Sequence, residues 1–306
     1  MLEPVKLLRD PSRYWSILKA THLPYSVSWP LMRTLRRIYS PGEQAVRKGM
    51  LGPVTAETSA VLDRLNQFGL AKLDAGFAPD TSEVLRQLSA VFAVERAKRN
   101  PNAAADSKKT GFLVNLIKDT DFASYPTVLA FMLDHRFLDL AGHYMGEVPI
   151  LSAASLWLSP VNTSAESSQL YHFDEEDDRQ LKFFLNIEAV REENGPFTAV
   201  PANISDVIKQ RSGGSLHGRR PDDLVASCLN GEKPTKLIGE RGDLAAVDTS
   251  RCLHYGSRGN TVERAVLMFQ FTRFSAPLGR VPNWGDAVKE LAKTLSPQQR
   301  RALQLT

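Results

Sequence analysis

Four side chains in this sequence could together build a metal centre beside an anion-binding group: His172, Asp174, His254 and Arg264. His172 and Asp174 are two residues apart, so on an extended strand or at its exit they point the same way and can share one metal ion. Two imidazoles and one carboxylate on one face of an octahedron leave the remaining positions open. This donor set suits non-heme Fe(II) that must also hold a cosubstrate and dioxygen.

The residues around these side chains have the pattern of strands joined by turns. Residues 181–187 and 197–200 are strand-like runs, and a turn containing Asn-Gly-Pro separates them. His254 lies 82 residues beyond His172, after a further predicted strand and a short loop. Arg264 then opens the clearest predicted strand of the chain, residues 264–271. The pattern therefore predicts a strand-rich core in which donors far apart in the chain converge.

Three pieces of the chain resemble the phytanoyl-CoA dioxygenase family. They are residues 169–174 (Gln-Leu-Tyr-His-Phe-Asp), residues 194–201 (Asn-Gly-Pro-Phe-Thr-Ala-Val-Pro), and His254 followed by Arg264 on a closing strand. The family is a branch of the 2-oxoglutarate-dependent Fe(II) oxygenases, which fold as a double-stranded β-helix. The resemblance spans about residues 151–274 and implies that fold here.

The resemblance also implies roles for the four side chains. His172, Asp174 and His254 would bind iron, and Arg264 would pair with the far carboxylate of 2-oxoglutarate. A guanidinium suits that task because it grips a carboxylate through two parallel hydrogen bonds and stays charged. With 2-oxoglutarate and dioxygen as cosubstrates, Fe(II) supplies an oxidant, and succinate and carbon dioxide are released. We expect hydroxylation of a small, lipid-like or natural-product substrate.

The chain departs from the family pattern at one place. Family members usually continue the second piece with Pro-Gly-Ser-His, whereas residues 201–204 here read Pro-Ala-Asn-Ile. The change leaves the three candidate donors intact, but the family's substrate wall does not carry over to residues 201–204. The acidic residues 175–178, directly after the His-x-Asp pair, are interpreted as a solvated turn.

Further pocket residues follow from the two faces of the strand at residues 181–187. Lys182, Phe184 and Asn186 share one face, which we expect to line the interior, while the apolar opposite face packs on helices. The resemblance places Phe184 against 2-oxoglutarate, and Lys182 or Asn186 could bond its oxygens. Alternatively, Lys182 extends to solvent. Additional candidates are Ser257 and Thr272, as hydroxyl partners of the anchored carboxylate, and Trp157, which faces either substrate or the core.

Length and composition fit one enzyme domain of 306 residues, with 42% hydrophobic and 24% charged residues. Helices before strands predict an α+β fold: a jelly-roll or cupin-like double-stranded β-helix flanked by helices. The expected segments are a helical arm (1–50), mainly helical support (51–148), the β-helix core (149–275) and a C-terminal helix (283–305). A polar insertion, residues 209–230, could fold over the site entrance.

Charge and cysteine content limit the cellular compartment and the classes of partner that we expect. The two cysteines, Cys228 and Cys252, give neither a disulfide framework nor zinc-ligand spacing. No apolar run is long enough to span a bilayer, and the start lacks the features of a secretory signal, so we expect a cytoplasmic protein. A basic amphipathic stretch at residues 27–39 could touch an anionic membrane, but a helix with solvated arginines is favoured. No nucleic-acid motif accompanies the net charge of +4. The expected partner is a small-molecule substrate, and the sequence does not specify an oligomeric state.

Two other functions were weighed. A non-catalytic β-helix protein could hold a metal or small molecule without turnover, and the loss of Pro-Gly-Ser-His is the feature in its favour. A zinc hydrolase would need a carboxylate general base at a suitable spacing, which the sequence does not offer. Halogenation is disfavoured, because it requires a small residue at the position that Asp174 occupies.

Overall fold

The computed structural model describes residues 41–74, 76–98, 111–276 and 291–305, with Val27, Pro30, Leu31, Thr34, Pro282, Trp284 and Val288 besides. The helices are α1 (Pro41–Gly49), α2 (Ala56–Phe68), α3 (Ser82–Lys98), α4 (Pro126–Met132), α5 (His135–Met145), α6 (Ala202–Arg211), α7 (Asp222–Cys228) and α8 (Pro297–Ala302). The strands are β1 (Leu70–Leu73), β2 (Val114–Ile117), β3 (Ile150–Ser159), β4 (Gln180–Asn186), β5 (Thr198–Ala199), β6 (Thr235–Lys236), β7 (Leu244–Val247), β8 (His254–Tyr255) and β9 (Arg264–Thr272).

The strands form two antiparallel sheets. The larger has six strands in the order β1-β7-β4-β9-β3-β2, and the smaller has three in the order β6-β5-β8. Most of the helices precede the long strands, so the mixed helix-and-sheet class expected from the sequence is confirmed. Strand β9 lies at the centre of the larger sheet and pairs with both β3 and β4. Strand β9 therefore joins β3 and β4 in the centre of the sheet.

One face of the larger sheet packs on the helices through aromatic side chains. Phe183 of β4 stacks on Phe269 of β9 with ring centroids 4.9 Å apart, and both rings contact Phe137 of α5. All three side chains belong to the main hydrophobic core. The expectation that the apolar face of residues 181–187 packs against helices is confirmed.

The opposite face of the larger sheet meets the smaller sheet. Phe184 of β4 and Val247 of β7 contact Phe197 and Leu237, which flank β5 and β6. Apolar contacts between the sheets hold the smaller sheet in place over the interior face of β4. The metal-ligand candidates lie in this layer between the sheets.

The mainly helical support expected before the long strands includes α4 and α5. They are separate helices because the Asp134 side chain accepts from the Arg136 N–H and caps a new helix there. The single C-terminal helix predicted over residues 283–305 is interrupted at residues 292–296. Ser296 caps α8 and Pro297 occupies its first turn, a combination that starts a helix rather than continuing one.

Two further predictions concern a basic N-terminal stretch and membrane-spanning segments. The predicted basic stretch at residues 27–39 lies largely outside the described residues, and so do all three of its arginines. Within the described part of the chain, no helix has the length and apolar character that crossing a bilayer requires.

Candidate metal centre

The two histidines are brought together by main-chain hydrogen bonds. The His172 N–H donates to the His254 carbonyl at 2.9 Å, and the His254 N–H donates to the His172 carbonyl at 3.0 Å. This antiparallel bridge puts both side chains on the same face, with ring centroids 4.3 Å apart. Residues 82 apart in the sequence thus become direct neighbours, as the spacing of the candidate donors predicts.

Both imidazoles have one nitrogen fixed by the backbone. His172 Nδ1 lies 2.8 Å from the Leu170 carbonyl, and His254 Nδ1 lies 2.9 Å from the Cys252 carbonyl. A carbonyl oxygen can only accept, so Nδ1 carries the proton in each ring. The lone pair of each neutral imidazole is therefore on Nε2, where a metal ion would bind.

Asp174 completes the group. Its Oδ1 is 3.8 Å from His172 Nε2, and its Oδ2 is 3.5 Å from His254 Nε2. One ligand atom from each of the three residues lies within 4.8 Å of the others. The Asp174 N–H donates to the Thr249 carbonyl at 3.0 Å, which ties this residue to the loop before β8. The predicted grouping of three donors is confirmed in position.

The electrostatics favour the protonation states that a metal ion needs. Burial lowers the pKa of His254 to about 3 and lowers that of His172 as well, so both rings are neutral at physiological pH. Burial alone would raise the pKa of Asp174, but the neighbouring Lys182 ammonium lowers it. Two neutral nitrogen donors and one carboxylate fit a divalent ion.

Lys182 does not extend to solvent, so that alternative is wrong. Its Nζ lies 2.5 Å from Asp174 Oδ2, and its side chain is 15% exposed. Burial opposes the ammonium charge, but Asp174 and Glu176 raise the pKa of Lys182. The sequence placed Lys182 on the interior face, but the pairing with Asp174 was not anticipated, because it depends on how the chain turns between them.

Arg264 lies at the start of β9, and its Nε is shielded from solvent with no hydrogen-bond partner in the part of the chain that the structure describes. Burial lowers its pKa to about 10, so the guanidinium stays charged at neutral pH. The neighbouring Glu263 pairs instead with Arg96 at 2.6 Å. Ser159 of β3 is the register partner of Arg264, and its buried hydroxyl also has no partner within the described ranges. These two groups offer donors to an anion, and Ser159 was missed because its register with β9 is not visible in the sequence.

The two hydroxyl candidates are not placed as expected. Thr272 lies eight residues along β9 from Arg264, which is about 26 Å on an extended strand, so it cannot share a carboxylate with that guanidinium. The Ser257 hydroxyl donates to Asn260 Oδ1 at 2.9 Å. Trp157 is half-buried on β3, opposite Val266 of β9. It faces the interior between the sheets and does not belong to the main core.

Phe184 and Asn186 both line the interior layer. Phe184 packs on Phe197 with centroids 4.5 Å apart, and Phe197 stacks on the His254 ring at 5.1 Å. The Asn186 side chain donates to the Glu240 carbonyl at 3.4 Å. A cavity of about 230 Å³ borders both residues. Their contact with 2-oxoglutarate stays a prediction.

The acidic run at residues 175–178 is not a solvated turn, and this interpretation is wrong. Asp177 is fully buried and accepts hydrogen bonds from the backbone and the guanidinium of Arg273. Asp178 pairs with the same guanidinium. The run therefore anchors the segment after the metal donors to the end of β9.

The insertion at residues 209–230 packs against the segment that carries His172 and Asp174. The Arg220 N–H donates to the Tyr171 carbonyl at 2.8 Å, and His217 Nδ1 lies 3.0 Å from a Glu175 carboxylate oxygen. The insertion thus borders the candidate centre from one side. Its expected role at the site entrance stays a prediction.

The departure at residues 201–204 begins α6. The Ser205 hydroxyl donates to the Val200 carbonyl and accepts from the Leu253 N–H at 2.9 Å. This contact ties α6 to the residue before His254. A helix therefore supports the segment that carries His254, and nothing in the sequence pattern indicates this role for Ser205.

No protein-family profile and no curated protein matches this sequence. Among solved structures, the chain is similar to AviO1 from Streptomyces viridochromogenes, with 16% identity over 74% of this chain and 99% of that one (TM-score 0.48). It is similar to EctD from S. alaskensis with bound Fe, with 15% identity over 74% and 79% of the two chains (TM-score 0.49). It is also similar to the epimerase SnoN in complex with Fe3+, alpha-ketoglutarate and nogalamycin RO, with 18% identity over 71% and 84% (TM-score 0.46).

Proposed function

We propose that the protein is an Fe(II)- and 2-oxoglutarate-dependent oxygenase of the phytanoyl-CoA dioxygenase type, acting on a small molecule. The observation that carries this proposal is the convergence of His172, Asp174 and His254, with both Nε2 lone pairs available, in one layer with Arg264, whose Nε has no partner among the described residues. We further propose that the two sheets and the flanking helices form one domain, with the sheets as the two walls of a double-stranded β-helix.

The residues present fit this cofactor and cosubstrate. His172, Asp174 and His254 would hold Fe(II), and three donors leave coordination positions for two atoms of 2-oxoglutarate and for dioxygen. When bound, the iron supplies the oxidising chemistry that hydroxylates the substrate, with succinate and carbon dioxide as coproducts.

The chain itself positions the reactants. Arg264 would bind the far carboxylate of 2-oxoglutarate, with Ser159 as a second donor to it. Phe184 and Phe197 give the interior an apolar wall beside His254. Such a wall excludes water from the reacting groups and strengthens the ion pair at Arg264.

The test uses purified protein loaded anaerobically with Fe(II) and 2-oxoglutarate. We expect a visible charge-transfer absorption that marks chelation, followed by succinate formation when oxygen and candidate metabolites are admitted. Asp174→Ala abolishes both signals, whereas His135→Ala, a matched change at an exposed histidine, leaves both intact. A protein that binds iron but neither chelates nor consumes 2-oxoglutarate would be the non-catalytic binding protein instead. Mass spectrometry of the metabolites then identifies the substrate and the type of oxidation.

A further inference from the structure

We propose that Lys182 is a positioning residue of the metal centre: its ammonium holds one oxygen of Asp174, which leaves the other oxygen for the metal, and its charge favours an anionic cosubstrate. This inference rests on the proposed function and adds a fourth side chain to the centre.

The geometry gives Asp174 two fixed points. Its carboxylate Oδ2 is held by Lys182 Nζ at 2.5 Å, and its backbone N–H is held by the Thr249 carbonyl at 3.0 Å. Lys182 itself is set by β4, where it is paired with Val247 of β7 and Gln270 of β9. The ammonium is thus carried by a residue of a central strand of the six-stranded sheet and not by a loop residue.

The hydrogen bond from Lys182 is strong enough to influence which oxygen of Asp174 binds a metal ion. Lys182 and Asp174 are 15% and 14% exposed in their side chains, so little water competes for either charge. A charge-assisted hydrogen bond in such surroundings is roughly twice as strong as a neutral one. An oxygen that accepts from an ammonium is a weaker metal donor than a free one, so we assign the metal to Asp174 Oδ1, which lies 3.8 Å from His172 Nε2. Chelation by both oxygens, which would take a coordination position needed by a cosubstrate, is disfavoured.

The positive charge of Lys182 has opposite effects on the binding of a divalent cation and of 2-oxoglutarate. A divalent ion and Asp174 alone carry a net charge of +1, and the ammonium raises this to +2. Glu176, whose side chain lies near Lys182, offsets part of the increase. The ammonium therefore repels a divalent cation and attracts the dianion 2-oxoglutarate. A side chain that only filled space would not produce opposite effects.

The experiment measures the two affinities separately by calorimetry. Mn(II) alone is titrated into the metal-free protein, and 2-oxoglutarate is then titrated into the Mn(II) form under anaerobic conditions. For Lys182→Met we expect Mn(II) affinity equal to or higher than wild type and 2-oxoglutarate affinity lower by about tenfold or more. Lys182→Gln gives the same pattern and serves if the Met variant folds poorly. The control Lys236→Met removes a lysine that pairs with Glu192 on the smaller sheet, and it changes neither affinity.

Two results would overturn the inference. One is an unchanged 2-oxoglutarate affinity in both variants, and the other is a parallel loss of both affinities in folded protein, which indicates a merely structural role. A wild-type protein that binds Mn(II) but no 2-oxoglutarate is distinguishable from either, and it would overturn the proposed function and this inference together.

Discussion

Arg264 is a charged side chain whose Nε has no partner among the described residues. Burial of a guanidinium without a counter-charge is unfavourable, and such groups are concentrated at binding sites. Ser159 lies opposite it, and its hydroxyl likewise has no partner among the residues described, so the pair offers two donors to an anion from outside the chain. At the scale of single residues, this is the observation that most favours the proposed anion site.

Replacement of Arg264 should separate cosubstrate binding from metal binding. We expect Arg264→Ala to weaken 2-oxoglutarate binding by about 2–5 kcal/mol, because the far carboxylate loses its only cationic anchor among the described residues of that strand. Mn(II) affinity should stay at the wild-type value, since the three donors are untouched. Calorimetry with each ligand measures both effects. Arg264→Lys keeps the charge without the two-pronged grip and should give an intermediate loss, whereas normal turnover of 2-oxoglutarate by Arg264→Ala would show that the assignment is wrong.

The sequence predicted the side chains whose chemistry is distinctive and missed those defined by register. His172, Asp174 and His254 have types that a metal centre needs, and the resemblance of the surrounding motifs to a known family grouped them. Ser159 was missed and Thr272 was wrongly chosen, because a hydroxyl is informative only when its neighbour on the next strand is known. Proximity along one extended strand is a poor guide, since each residue adds about 3.3 Å.

At the scale of elements, β4 shows how one strand serves two purposes. Successive side chains point to opposite faces, so Phe183 enters the aromatic core with α5 while Phe184 lines the layer that contains the metal centre. The alternation in the sequence predicted both faces. Phe183 therefore contributes to packing of the main core, and the adjacent Phe184 faces the layer between the two sheets.

Adjacent substitutions on β4 should have different consequences. We expect Phe183→Ala to lower the free energy of unfolding by about 3–5 kcal/mol, because it leaves a cavity between Phe137 and Phe269. Phe184→Ala should cost less stability, since that side chain is only half-buried, and should instead weaken 2-oxoglutarate binding. Urea denaturation and calorimetry on both variants make the comparison. Equal losses of stability would contradict the assignment of the two faces.

Element boundaries were predictable only where the signal is local. Gly69 adopts φ +72 and ends α2 as a left-handed cap, a pattern that sequence can indicate. The acidic run at residues 175–178 was misread because its partner, Arg273, is nearly a hundred residues away. Charge runs are usually solvated, and only a tertiary contact decides when they are not.

At the scale of the whole molecule, the metal donors link two distant parts of the chain. His172 and Asp174 come from the segment before β4, and His254 comes from β8 of the smaller sheet. An unfolded chain does not hold these side chains together, so a metal ion at the proposed site would bind the folded state in preference. We therefore expect metal binding and folding to be thermodynamically coupled.

The coupling gives a test on the intact protein. At a free Mn(II) concentration one hundred times its dissociation constant, we expect stabilisation by about 2.7 kcal/mol, reversed by a chelator. Thermal or urea denaturation with and without the metal measures it. Asp174→Ala should show no such shift, and a shift of equal size in that variant would mean that Mn(II) binds elsewhere.

The bridge between His172 and His254 is made by main-chain atoms alone, through two hydrogen bonds that any pair of residues could form. The approach of the two imidazoles is thereby set by the scaffold and not by neighbouring side chains. Substitutions in the interior layer or in the insertion at residues 209–230 can then accumulate without separating the two histidines.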